Sequence, residues 1–167
     1  HVATSLTNSS GINSTFVGIE AGDAVTTGSN NTLIGASSGG AITQGANNTA
    51  VGASALDAQI TGENNTAIGY NSLSANATSD GVGDNTALGY NSGASLTTGY
   101  DNTIIGSGAG STSTAVYQTV LIGKNAGDAG MTTAAYGTVA IGHAAGSNLT
   151  LGSGSCLVGK SAGEGLT

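Results

Sequence analysis

Residues 65–69 read Asn-Thr-Ala-Ile-Gly, and close copies stand at residues 31–35 (NTLIG), 48–52 (NTAVG), 85–89 (NTALG) and 102–106 (NTIIG). Working outward from these copies, an aliphatic residue followed by glycine recurs at Gly18, Gly35, Gly52, Gly69, Gly89, Gly106, Gly123, Gly142 and Gly159. The steps between these glycines are 17, 17, 17, 20, 17, 17, 19 and 17 residues. A fixed period with two small insertions is the signature of a repeat architecture, in which each period is one layer stacked on the next. The insertions fall at 74–83 and 128–137, where loops are expected to leave the stack.

Each period divides into two extended runs, one of the NTAIG type and one of the type Ala94-Ser95-Leu96-Thr97-Thr98-Gly99, with Gly or Asn at the junctions as turns require. No amphipathic helical spacing persists. The expectation is an all-β parallel β-solenoid of about nine 17-residue coils with two short strands per coil. At ~4.8 Å per coil such a stack is about 43 Å tall. Residues 1–13 form a lead-in and 14–167 a single repeat domain.

Composition narrows the class. The 167 residues include 30 Gly, no Pro, no Trp and a single Phe, and only 7% are charged, too little bulk for an ordinary globular core. Disorder normally pairs low hydrophobicity with high charge, and here charge is low while small aliphatics recur in register. Two Lys against nine Asp plus Glu give a formal charge of −7, which disfavours nucleic acid and anionic membrane surfaces. Cys156 is alone, so no internal disulfide is expected, and no run is long and apolar enough to cross a membrane.

Reading columns up the stack assigns faces. The residue before each glycine is always aliphatic: Val17, Ile34, Val51, Ile68, Leu88, Ile105, Ile122, Ile141 and Val158. Two positions earlier stand Thr15, Thr32, Thr49, Thr66, Thr86, Thr103, Val120, Val139 and Cys156. Strand alternation puts these two columns on one face, expected to be the core. The column between them is Phe16, Leu33, Ala50, Ala67, Ala87, Ile104, Leu121, Ala140 and Leu157, expected to point outward. It too is apolar throughout, and a strand apolar on both faces is covered on both. The chain's own second run covers one face, so the other is expected to meet identical chains, with cyclic threefold symmetry suited to a fibre. Asn31, Asn48, Asn65, Asn85 and Asn102 form a further column whose amides are expected to bond along the axis. Glycines ten residues after the key glycine, such as Gly28, Gly45 and Gly99, are read as corners of positive φ.

Segments such as NNTLIGASSG, NNTAIGYNS and DNTIIGSGAG resemble the repeats in the heads of trimeric autotransporter adhesins. They are equally similar to the NTAIG arrays of phage tail fibres and bacterial surface fibres. The resemblance covers residues 14 to 163. It implies a left-handed parallel β-roll, three chains side by side, used for adhesion outside the cell. Adhesin heads have shorter coils and carry valine where Thr stands in six coils here, so the fibre-type repeats match better.

Motifs that suggest chemistry have plainer readings. Gly35-Ala36-Ser37-Ser38-Gly39 fits a nucleophile elbow but occupies a repeat turn. His143 lies just after a coil glycine, without a second His or a Cys in register. Asp80 and Asp84 are the best oxygen ligands for a cation such as Ca²⁺, yet lack the spacing of a binding loop, so no metal is expected. The Asn-x-Thr sequons at Asn30, Asn47 and Asn64 follow from the repeat itself. Tyr70 and Tyr90 share one column, and Tyr100 and Tyr117 another, offering platforms for sugar rings. The expected protein is a non-enzymatic segment of an extracellular trimeric fibre, on a bacterial surface or a virion tail. It needs no cofactor, inserts into no membrane, and its partners are its own copies and a cell-surface glycan or protein receptor. A monomeric ice-binding solenoid presenting Thr rows on a flat face is the alternative.

Overall fold

The computed structural model describes residues 13–76, 83–150 and 152–166. The chain is a parallel β-solenoid whose nine strands, one per repeat, lie in a single sheet in chain order. The strands are β1 (Thr15–Val17), β2 (Thr32–Ile34), β3 (Thr49–Val51), β4 (Thr66–Ile68), β5 (Thr86–Leu88), β6 (Thr103–Ile105), β7 (Val120–Ile122), β8 (Val139–Ile141) and β9 (Cys156–Val158). Among the described residues there is no α-helix, and a single 3₁₀ turn spans Thr133–Ala135. Register is kept throughout, even across the long period from Thr66 to Thr86, so the loops absorb the extra residues. The first insertion lies mostly outside the described residues. The second folds Met131 and Ala135 into the core.

Each coil contributes one strand, not two. The run expected as a second strand is a series of turns, joined to the next coil by sparse bonds such as Thr26 N–H to Thr43 O (2.9 Å) and Thr97 N–H to Thr114 O (2.9 Å). The cause is local. Two and four residues after each key glycine the backbone turns left-handed, as at Asn71 (φ 58°) and Gly93 (φ 59°), which breaks extension.

The two faces of the strand are the reverse of the expected assignment. The middle column is the core: Leu33, Ala50, Ala67, Ala87, Ile104, Leu121 and Ala140 are fully buried, Leu157 nearly so, with Phe16 packed against them. The column of Val17, Ile34, Val51, Ile68, Leu88, Ile105, Ile122, Ile141 and Val158 faces outward with the Thr column, and Leu88 is 45% exposed. The reason lies across the coil. Where the strand supplies only Ala50 or Ala67, Leu56 or Leu73 turns inward from the opposite wall, despite positive φ (53° and 49°). Where the strand supplies Leu33 or Leu121, that wall has Gly39 or Gly127, and a Cβ there would sit 2.9 or 2.7 Å from the leucine methyls. In these coils the interior is filled by exchange of volume between two walls, whereas Ala87 and Ala140 face Gly93 and Gly146, and the space beside those glycines is taken by Leu73 and Ile104 and by Leu157. Val25, Ile42, Leu96, Val116 and Leu149 complete it.

The Asn column is buried and behaves as expected. Asn48 N–H, Asn65 N–H and Asn85 N–H donate to the Oδ1 of Asn31, Asn48 and Asn65 at 2.9, 2.9 and 3.1 Å. The side-chain Nδ2 of Asn48 and Asn85 donates to Gly62 O and Gly99 O, both at 2.9 Å. Asn48 and Asn85 thus grip the next coil twice, at the backbone N–H of the following ladder residue and at the carbonyl three residues before it, whereas Asn65 Nδ2 donates to Asn48 Oδ1 and Glu63 O. Gly28, Gly45 and Gly99 are not left-handed corners. They are glycine because a Cβ would lie 2.3–2.6 Å from a carbonyl oxygen of the next coil.

Candidate functional site

The surface with the most distinctive chemistry is the outer face of the sheet and its two edges. Nine rungs present Thr and aliphatic side chains in strict register, with no charged residue in either column. Ile34 and Ile68 are each 37% exposed, and Val158 at the last rung is 67% exposed. Exposed aliphatics scattered singly need no explanation, but a continuous stripe along a whole molecule does.

One edge carries a second asparagine series. Asn30 Nδ2 donates to Asn47 Oδ1, and Asn47 Nδ2 to Asn64 Oδ1, both at 3.1 Å. These positions continue as Asp84, Asp101, Gln118, Gly137 and Gly154, and every one has positive φ, from 54° to 71°. Asn, Asp and Gly tolerate that conformation best. The Asn-Asn-Thr sequons thus have a structural origin: the first Asn turns the corner, the second enters the buried ladder. Sequence reasoning missed this corner, although its Asn/Asp/Gly usage was the available signal.

Beside that corner Tyr100 and Tyr117 meet edge to face at 4.9 Å. Tyr136 joins their column one coil on, its hydroxyl donating to Gln118 Oε1. The insertion before Tyr136 hid it from a forward count. Counted back from the following glycine, all three stand at the same position. The other edge holds Tyr70 and Tyr90, stacked with centroids 5.6 Å apart, planes 13° from parallel, and more than half exposed.

The remaining candidates are not brought together. Ser37 donates to Glu20 Oε2 (3.1 Å), Ser38 is buried on Ala50 O (3.1 Å), and His143 projects beside β8, far along the stack from both. Asp80 lies outside the described residues, and no group of three His, Cys, Asp or Glu suited to a metal occurs among those described. Glu20, Asp23 and Asp57 do line a shallow depression with Ser37 and Gly40. Partial burial, with the Glu20 carboxylate adding, raises Asp57 above the ordinary carboxylate value of 3.8. A carboxyl whose folded pKa is raised binds more protons in the folded state, so its contribution to stability falls as pH rises from 3.8 through the folded value. Asp57→Asn is therefore expected to melt slightly higher than the parent at neutral pH, the gap closing in acid. Paired thermal melts check this, and a variant less stable at neutral pH contradicts the assignment.

No match was found for this chain among protein families, curated proteins or solved structures.

Proposed function

We propose that the chain is a structural and adhesive segment of an extracellular trimeric fibre, of the kind borne on bacterial surfaces or virion tails. In this reading the coils wind left-handed and three parallel copies pack side by side. The observation that carries it is the outward stripe of nine aliphatic residues beside the Thr column. Leu33 and its equivalents fill the coil, and Ile34 and its equivalents form a second apolar face that supports a neighbouring copy as its cover. Parallel copies around an axis along the stack bring equal rungs together, so the stripe meets its own repeat at every level. The repeat resemblance supplies the number three.

Molar mass in solution tests the proposal. A trimer is expected for the parent, and a folded monomer for Ile68→Asp combined with Leu88→Asp, because both carboxylates would otherwise be desolvated in the interface. Cys156 reports independently: it stands in the outward Thr column, exposed in a single chain, and its thiol is expected to be protected from alkylation in the assembly. A parent that is monomeric at all concentrations overturns the proposal.

A second reading gains from one observation. Thr15, Thr32, Thr49, Thr66, Thr86 and Thr103 lie in register on the flat outer face, as an ice-binding surface needs. The replacement of Thr by Val120, Val139 and Cys156 in the last three rungs weighs against it. Thermal hysteresis from a monomeric parent selects this reading, and its absence removes it.

A further inference from the structure

Both lysines of the chain and its single internal histidine stand in one column. Lys124, His143 and Lys160 each directly follow the key glycine, in three successive coils, and all three are exposed. The backbone bonds show that the column is continuous: Ala144 N–H donates to Lys124 O (2.9 Å) and Ser161 N–H to His143 O (2.8 Å). The same column holds Tyr70 and Tyr90, linked upward by Asn91 N–H to Tyr70 O (3.0 Å) and Gly108 N–H to Tyr90 O (2.9 Å), with Ser107 between the aromatic and basic parts. Beside it run Asn71 and Asn91, joined Nδ2 to Oδ1 at 3.2 Å, and then Asn125. In a chain of charge −7, this edge gathers every lysine it has.

We infer that this edge binds an acidic polysaccharide lying along the fibre axis. The basic column would hold its carboxylates or sulfates, and the Tyr70–Tyr90 stack with its amides would hold its sugar rings. Charge complementarity argues for an external anion over a second copy. In a parallel assembly equal coils meet at equal height, and the opposite edge at these three coils offers Tyr117-Gln118, Tyr136-Gly137 and Ser153-Gly154, with no carboxylate. The edge acids Asp84 and Asp101 lie one to four coils away. The two ammonium groups of Lys124 and Lys160 stand two coils apart, about 10 Å at ~4.8 Å per coil, a spacing that one polyanion lying along the column can bridge. The exposed tyrosine faces and the neighbouring amides suit the rings and hydroxyls of a sugar polymer, and single-stranded DNA, whose bases also stack on aromatics, is the comparator in the test. The inference rests on the adhesive part of the proposed function and not on the number of chains.

The test is titration of the full chain with hyaluronan and heparin oligosaccharides, with neutral dextran and single-stranded DNA as comparators. Saturable binding to an acidic oligosaccharide is expected, weakening as salt is raised. Lys124→Gln with Lys160→Gln should weaken it on the order of tenfold, given two lost charge contacts. Tyr70→Ala with Tyr90→Ala should weaken it about three- to tenfold through lost stacking. Lys124→Arg with Lys160→Arg should keep it, and every variant should melt as the parent does. No binding to either acidic sugar, equal binding of dextran, stronger binding of DNA, or unchanged affinity in the lysine variant overturns the inference. A lysine variant that loses molar mass also overturns it, by making the column an inter-chain contact. Loss of trimer in the parent with binding intact removes only the assembly.

Discussion

Gly69→Ala is expected to unfold the stack, while the same change at Gly159 is tolerated. Both glycines hold nearly the same backbone, φ 131° and 129°. An alanine in that region pays backbone strain on the order of 1–3 kcal/mol at either position. The difference is contact. A Cβ at Gly69 would lie 2.4 Å from Gly89 O and 2.7 Å from its carbonyl carbon, whereas a Cβ at Gly159 meets nothing within 4 Å. Backbone cannot step aside as a flexible side chain can, so Gly69→Ala must prise two coils apart and break the bonds that join them. A loss above about 4 kcal/mol is expected, in the range reserved for core disruption. Thermal unfolding followed by circular dichroism distinguishes the two variants. Comparable melting would show that coil spacing relaxes to admit a methyl group.

Asn85→Ala is expected to be nearly as damaging, through polar groups instead of volume. Asn85 Oδ1 accepts from Asn102 N–H (3.2 Å) and Asn102 Nδ2 (2.9 Å), while its own Nδ2 donates to Asn65 Oδ1 (3.2 Å) and Gly99 O (2.9 Å). Removing the amide strands Asn102 N–H and Gly99 O, each costing about 1–3 kcal/mol, while Asn65 Oδ1 keeps Asn85 N–H (3.1 Å) and Asn102 Nδ2 keeps Val116 O (2.8 Å). Asn85→Asp should be worse, because a carboxylate would face the oxygens of Asn65 and Gly99. Asn85→Thr should be mildest. The protein itself makes that replacement in the next coils, where Thr119 Oγ1 donates to Asn102 Oδ1 (2.8 Å) and Thr138 Oγ1 to Gly152 O (3.1 Å). Denaturant titration of the three variants gives the order, and Thr falling below Ala would refute the ladder as the source of the loss.

The period, the parallel register, the position of the strand within each coil and the buried amide ladder were all legible in the repeat. The direction of the strand's faces was not. Alternation fixes which residues share a face, yet Thr-Ala-Ile is apolar enough on both sides to leave the sign open. The decision lies in the opposite wall, where Leu56 and Leu73 compensate for Ala50 and Ala67, while Gly39 and Gly127 make room for Leu33 and Leu121. That pairing is present in the residues, at a separation of six positions, and becomes meaningful once the coil is known to close after a single strand. The surface was legible in part. Tyr70 with Tyr90, and their shared position with Lys124, His143 and Lys160, followed from the columns, whereas Tyr136 was displaced by an insertion.

Because the strands pair in chain order in one parallel sheet, the ladder bonds between described coils run along the stack. A pull on the two ends of the stack therefore opens these bonds in series, a few at a time, and does not shear the sheet as a whole. A single chain stretched this way should peel coil by coil from its ends. Each event frees 17 residues, about 55 Å of extended chain less the ~5 Å rise of the coil. The longer periods should release slightly more. Side-by-side packing would change the failure mode, since a coil could leave only by tearing its aliphatic rung from the neighbours at the same height. Resistance to traction would then reside in the lateral contacts, and the axial ladder would chiefly keep those contacts in step.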